Sequence, residues 1–238
     1  MIRTPFFALS ASAVLAAAIA TVPASLMAQA PAADTSPQSA ANTASADVLS
    51  LINEGREGVW ACSSCHGADG AGSASVPRLA GLPEAYLARQ LRDYRDGLRT
   101  NENMQFVAKH LSDAEIASLA AQYSRLASPS NAAATLGGDV ERGRELAMYG
   151  DWKQDIPPCF SCHGSSAFGV APHFPGLAAQ PADYTYAQLA AWVQGRRSNS
   201  SLDLMEAIAN RMSPADMKAV ADYLATLAPA PVTSSTEQ

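Results

Sequence analysis

Cys62-Ser63-Ser64-Cys65-His66 returns later in the chain as Cys159-Phe160-Ser161-Cys162-His163, and these two pentapeptides contain all four cysteines. Two thiols three positions apart can each add across a vinyl group on one edge of a porphyrin, which carries the histidine that follows beneath the ring. C-x-x-C-H is accordingly the attachment pattern of a c-type haem, with His66 and His163 as proximal ligands to iron. Two C-x-x-C pairs could also build a four-thiolate zinc site. Zinc ribbons, however, separate their pairs by about 15–20 residues, whereas a whole domain's length of sequence lies between Cys65 and Cys159. A thioredoxin-like dithiol has no use for a histidine after each pair. The expectation is two covalently bound haem c groups, held through Cys62, Cys65, Cys159 and Cys162.

The first 28 residues carry one charge, Arg3, then an apolar run from Pro5 to Val22 and small residues at Ala24, Ala28 and Ala30. Residues 1–28 read as a secretory signal peptide. The run is rich in alanine and interrupted by proline, whereas a spanning helix needs about 20 strongly apolar residues. Export to a bacterial periplasm is expected, with retention of the leader as an anchor the alternative. Residues 29–45 are Ala, Ser, Pro, Thr and Gln with almost no charge, a composition that cannot bury enough apolar surface to fold, and read as a flexible tether. Losing Arg3 with the leader takes the formal net charge from −6 to −7. That balance argues against nucleic acid as a partner.

An internal repeat organises the rest. Gly55-Arg56-Glu57 precedes the first motif as Gly143-Arg144-Glu145 precedes the second, and Pro77-Arg78-Leu79-Ala80-Gly81-Leu82 answers Pro172-His173-Phe174-Pro175-Gly176-Leu177. Gln90-Leu91, Tyr94 and Gly97 match Gln188-Leu189, Trp192 and Gly195. Each half then closes with a capped helix. Ser112-Asp113-Ala114-Glu115 is a capping box, and Ser213-Pro214-Ala215-Asp216 does the same work with proline at the first helical position. Ile116, Leu119 and Tyr123 follow at helical spacing in one half, Met217, Val220 and Leu224 in the other. No stretch alternates long enough for a sheet. The fold class expected is all-α, with tandem domains at 46–128 and 138–229, a linker at 129–137 and a disordered tail at 230–238. Domains this small have little core of their own, so each is expected to fold around its haem. On this register Gly143 to Cys159 is 16 positions and Gly55 to Cys62 is 7, which implies nine extra residues before the second motif. They read as a partner-docking feature or a surface turn.

The second axial ligand decides between electron transfer and small-molecule chemistry. Met104 is the only methionine between His66 and the linker; Met205, Met212 and Met217 follow His163. Met104 lies 7 positions before Leu111 and Met205 lies 7 before Met212, each pair ending just before a helix cap. Met104 and Met205 are therefore the candidate ligands, and Met212 and Met217 read as core. The spare histidines, His110 and His173, align with Arg211 and Arg78 and read as surface or haem-edge groups. The carbonyls of Pro77 and Pro172 are candidates to accept the ring N–H of His66 and His163. Tyr94 and Trp192 either donate to haem propionates or simply pack.

Taken together, the doubled C-x-x-C-H, Met104 and Met205, and the start of a terminal helix at Leu111 to Ile116 resemble the dihaem class I c-type cytochromes of the cytochrome c4 family, over about Ala46 to Ala228. The resemblance implies two tandem class I cytochrome c domains packed about a pseudo-twofold with neighbouring haem edges. It further implies a carrier of single electrons in the periplasm, delivering to a terminal oxidase, and not an enzyme. The partners expected are redox proteins such as a terminal haem-copper oxidase and a quinol-oxidising cytochrome complex, any membrane association arising through them. The alternatives are a haem c subunit of a membrane-bound dehydrogenase complex, and a dihaem enzyme acting on peroxide or thiosulfate.

Overall fold

A computed structural model describes residues 46–127 and 129–231. The expected signal peptide (1–28) and tether (29–45) lie outside the described residues, as do residues 232–238 of the expected tail. The first half comprises α1 (46–53), α2 (Ser63–His66), α3 (Glu84–Arg95), α4 (Glu102–Lys109) and α5 (Asp113–Ser124). The second comprises α6 (Val140–Tyr149), α7 (Cys159–His163), α8 (Ala182–Val193), a 3₁₀ turn (Ser201–Asp203), α9 (Leu204–Ala209) and α10 (Pro214–Thr226). Extended pairing among the described residues is confined to isolated bridges, as the all-α expectation requires.

The caps start the terminal helices where the sequence places them. Ser112 accepts from Glu115 N while the Glu115 carboxylate accepts from Ser112 N. Ser213 accepts from Asp216 N, with Pro214 in the first turn. Helix α5 then buries Ile116, Leu119 and Tyr123 against Val48, Leu51 and Ile52 of α1 and Leu87 of α3. Helix α10 buries Met217, Val220 and Leu224 against Leu146 of α6 and Leu189 of α8. The α6–α10 contact is backbone to backbone, because a Cβ on Gly143 would stand 2.1 Å from Ala219 O.

Two details of the expected register are corrected. Gly55 and Gly150 are the equivalent glycines: both have left-handed φ (+70° and +72°) and each opens a small loop closed by a bridge, Arg56 with Val59 and Asp151 with Ile156. Gly143 instead lies inside α6, so the Gly-Arg-Glu match is one of letters and not of conformation. The second half has two extra residues before its motif, not nine, since Gly150 to Cys159 is 9 positions and Gly55 to Cys62 is 7. Further on, Leu79 N and Ala80 N donate to Gly70 O as Leu177 N and Ala178 N donate to Ala167 O. This pairs Pro77 with Pro175 rather than Pro172, and Arg78 with Gly176 rather than His173. The loop closed by Val170 and Phe174 is one residue longer than that closed by Ser73 and Val76, which moves the offset between the halves from 97 at Cys62 and Cys159 to 98 at Leu79 and Leu177.

The halves meet through backbone as well as side chains. Thr100 N donates to Arg196 O and Ser198 N donates to Leu98 O, both at 2.9 Å, a reciprocal pair. Gln180, buried, accepts from Arg78 N at 3.1 Å and donates to Arg78 O at 2.9 Å. The connection between the halves lies on the second one. The fully buried Asp222 accepts from Thr135 N, Leu136 N and Gly138 N at 2.7–3.0 Å, and Ala132 and Leu136 pack on Ala182, Ala221 and Ala225.

Candidate haem centres

One helical turn builds each attachment site. In α2, His66 N donates to Cys62 O at 2.9 Å and Ser64 Oγ donates to Ala61 O at 2.6 Å. In α7, Ser161 Oγ donates to Pro158 O in the same way, also at 2.6 Å. Residues three apart on a helix share a face, so each turn presents its two thiols together. Burial pushes the Cys62 thiol up and takes Cys159 up to about 11.

Both histidines are buried, with 7% and 6% of their surface exposed. His66 Nδ1–H donates to Pro77 O at 3.0 Å and His163 Nδ1–H to Pro175 O at 2.8 Å. A carbonyl can only accept, so the proton sits on Nδ1 and the Nε2 lone pair is left for iron. Burial, the largest cause, holds both imidazoles below their usual pKa and therefore neutral, as ligation requires. The expected carbonyl of Pro77 is in place; Pro172 is exposed, and the residue in its role is Pro175.

Met104 and Met205 are half-buried and similarly held: Met104 N donates to the Asn101 side chain that caps α4, and Met205 N to Ser200 Oγ, each at 3.1 Å. Met205 faces the same cavity as His163; Met212 also reaches its wall, while Met217 lies in the core. His110 is exposed, its Nδ1–H donating to Phe106 O, as Arg211 donates to Ala207 O. His173 is exposed at the cavity rim.

The cavity of the second half, about 200 Å³, is walled by Cys159, Cys162, His163, Leu189, Val220 and Leu224 and extends between the halves to Tyr86 and Arg197. There the structure leaves positive charge and donors without a match. Arg99 and Arg197 are 4% and 5% exposed. Arg99 donates to Gln90 Oε1, Tyr184 OH and Gln188 Oε1 at 2.6–3.1 Å. Arg197 donates to Asn199 Oδ1, Gln188 Oε1 and Gln90 Oε1 at 2.9–3.1 Å, and the two lie over Tyr94 and Trp192 at 4.6 and 4.0 Å. All of these acceptors are neutral, and the buried Trp192 Nε1 and Arg99 Nε have no acceptor. The carboxylate of the buried Asp93 joins this network only through Gln90 and Asn199, and paired guanidiniums buried without a direct anionic partner are costly. Haem propionates would supply direct anionic partners there and a porphyrin would suit the apolar walls, so the residues fit the group. Burial takes Tyr94 up to about 12, which keeps its phenol neutral beside Arg99. Sequence reasoning missed both arginines; the signal was their recurrence two residues after the matched Gly97 and Gly195. Among the described residues no three His, Cys, Asp or Glu side chains are grouped to hold a metal ion.

The family model described as Cytochrome c matches residues 52–122 and 140–228. A protein of Thiomonas intermedia (strain K12) described as thiosulfate dehydrogenase electron acceptor is 47% identical over 178 residues, 73% of this chain and 82% of its own. The solved thiosulfate dehydrogenase (TsdBA) of Marichromatium purpuratum matches 76% of this chain at 41% identity with a TM-score of 0.72, and this protein spans 40% of that longer chain. Cytochrome c4 of Pseudomonas stutzeri matches with a TM-score of 0.66 at 30% identity, over 79% of this chain and 98% of its own. One family match falls on each half and a solved cytochrome c4 aligns almost end to end: the chain belongs to the cytochrome c family, in its dihaem cytochrome c4 group, and is an electron carrier with two covalent haem c groups.

Proposed function

We propose that this protein accepts electrons singly from a thiosulfate-oxidising dehydrogenase in the periplasm and passes them to a terminal oxidase. The carrying observation is the similar construction of the two centres: a buried histidine with Nδ1–H tied to a proline carbonyl, and a methionine whose N–H donates to a polar side chain a few residues upstream, Asn101 for Met104 and Ser200 for Met205. His66 with Met104, and His163 with Met205, would hold the two irons. Haem bound there supplies one-electron chemistry at iron. The protein supplies neutral imidazoles, apolar walls that exclude water, and buried guanidiniums that offset negative charge. With a histidine and a methionine to hold each iron, no position would be left for bond-making chemistry, which supports a carrier rather than an enzyme. Among the described residues no helix is long and apolar enough to cross a membrane. The leader at 1–28 and the domain limits 46–128 and 138–229 belong to the same proposal.

A second reading, a permanent subunit of the dehydrogenase, draws support from the solved chain of which this protein spans 40%. A quinol-oxidising cytochrome complex is the other donor. Stopped-flow mixing of oxidised protein with thiosulfate alone is expected to give no reduction, and with a catalytic amount of thiosulfate dehydrogenase full reduction of both haems. Turnover of thiosulfate without the dehydrogenase would defeat the carrier reading. Recovery of the two proteins as one stable complex from native extracts would favour the subunit.

A further inference from the structure

The internal repeat acts as a control for the surface. In the first half Trp60, two residues before Cys62, and Phe106, two residues after Met104, are 51% and 41% exposed with ring centroids 5.0 Å apart. The exposed His110 adds a third ring, 4.9 Å from Phe106. The second half has Pro157, Ala207 and Arg211 at the corresponding positions. The aromatic face therefore belongs to one half and is no requirement of the fold.

The His110 edge of the face is tied down. Gly58, with φ +77°, lies so close on the His110 ring that a Cβ would stand 2.7 Å from it. Arg56 Nη2–H donates to His110 O at 2.7 Å and to the Glu115 carboxylate at 2.9 Å. The His110 ring donates in turn to Phe106 O at 2.8 Å. Leaving large apolar rings in contact with water is unfavourable for the chain alone, whereas aromatic anchors already gathered into one face bind a partner at low entropic cost. Local charge is low: Arg56 and Lys109 stand against Glu57, Glu102 and Glu115, with Arg56 and Glu115 paired at 2.9 Å.

We infer that the Trp60–Phe106–His110 face is where the electron-donating dehydrogenase docks, so that electrons enter through the first half. Its occupant is an apolar, nearly neutral surface beside the donor's own redox centre. A partner chosen for its charge would find little to read in so weakly charged a face, whereas an electron donor needs a close, dry contact near the attachment cysteine and the methionine. The donor's identity rests on the function proposed above; the location of the face does not.

Holoprotein carrying Trp60→Ala or Phe106→Ala tests this, with Leu202→Ser as the control, Leu202 being 91% exposed in the second half. The readout is the second-order rate of reduction by thiosulfate dehydrogenase plus thiosulfate, set against reduction by dithionite. Trp60→Ala is expected to slow the protein reaction about tenfold or more, as loss of one interface anchor does, and Phe106→Ala several-fold. The ratio to wild type should be the same at low and high salt, with the dithionite rate and Leu202→Ser unchanged. Reduction of Trp60→Ala at the wild-type rate overturns the docking face while leaving the function intact, as does a loss shared by dithionite. A wild type that the dehydrogenase cannot reduce removes the donor and overturns both.

Discussion

Met205 and Met212 both bring a thioether to the wall of the second cavity, and what separates them is how each is held. Met205 N is fixed by Ser200 Oγ as Met104 N is by Asn101, whereas Met212 is 8% exposed within the apolar core. Met205→Ala is expected to abolish the sulfur-to-iron absorption band of one haem and lower its potential, since thioether ligation favours reduced iron. Met212→Ala should keep the band and cost about 2–5 kcal/mol of stability, the usual range for a buried methionine removed from a core. Difference absorption spectra and denaturant unfolding distinguish these outcomes, and a band lost only in Met212→Ala would reverse the assignment. Residues whose chemistry is local were legible in the sequence: the cysteines and His66 and His163 announce themselves by spacing alone. Arg99 and Arg197 were not, because their recurrence after Gly97 and Gly195 does not show what they bond, and the partners that join the halves lie far along the chain, Tyr184 being 85 positions from Arg99. Only folding brings them together.

At the level of helices, caps proved easier to read than loops. Ser112 and Ser213 start α5 and α10 as expected because a cap depends on four consecutive residues. Ser112→Ala is expected to cost about 1 kcal/mol, within the range for a lost N-cap, as a lower denaturant midpoint with an unchanged haem spectrum. The loops before and after the motifs misled the alignment because matching letters hid different backbone states. Gly143 is helical and packs α6 onto α10, while Gly150 has the positive φ that Gly55 has. The distinction is testable. Gly143→Val must displace Ala219, whose carbonyl lies 2.1 Å from the added Cβ; overpacking of this kind costs about 1–3 kcal/mol or more. Thermal unfolding should show the loss in the second half while the first haem's spectrum holds.

Over the whole molecule, the described residues form two apolar cores joined by a largely polar seam and by a connecting segment fastened to Asp222. The sequence marked that segment as a linker; its attachment was hidden because Asp222 lies 84 positions or more from the amides it serves. Asp222→Ala leaves three amides short of an acceptor, at about 1–3 kcal/mol for an unsatisfied buried group, and amide exchange at Thr135, Leu136 and Gly138 should quicken. The seam bears on how the two irons share charge. Arg99 of the first half donates to Tyr184 and Gln188 of the second, and Arg197 donates back to Gln90. Charge gained by a haem on one side would therefore act on the other through the same side chains. Thermodynamic reciprocity makes the influence mutual: whatever free energy the first reduction adds to or takes from the second, the second returns equally to the first. Two midpoints read from a titration are then macroscopic values of the pair and not labels for individual irons. Arg99→Gln, which removes one buried positive charge, is expected to shift both midpoints downward in a spectroelectrochemical titration. A shift confined to a single wave would show that the halves titrate independently.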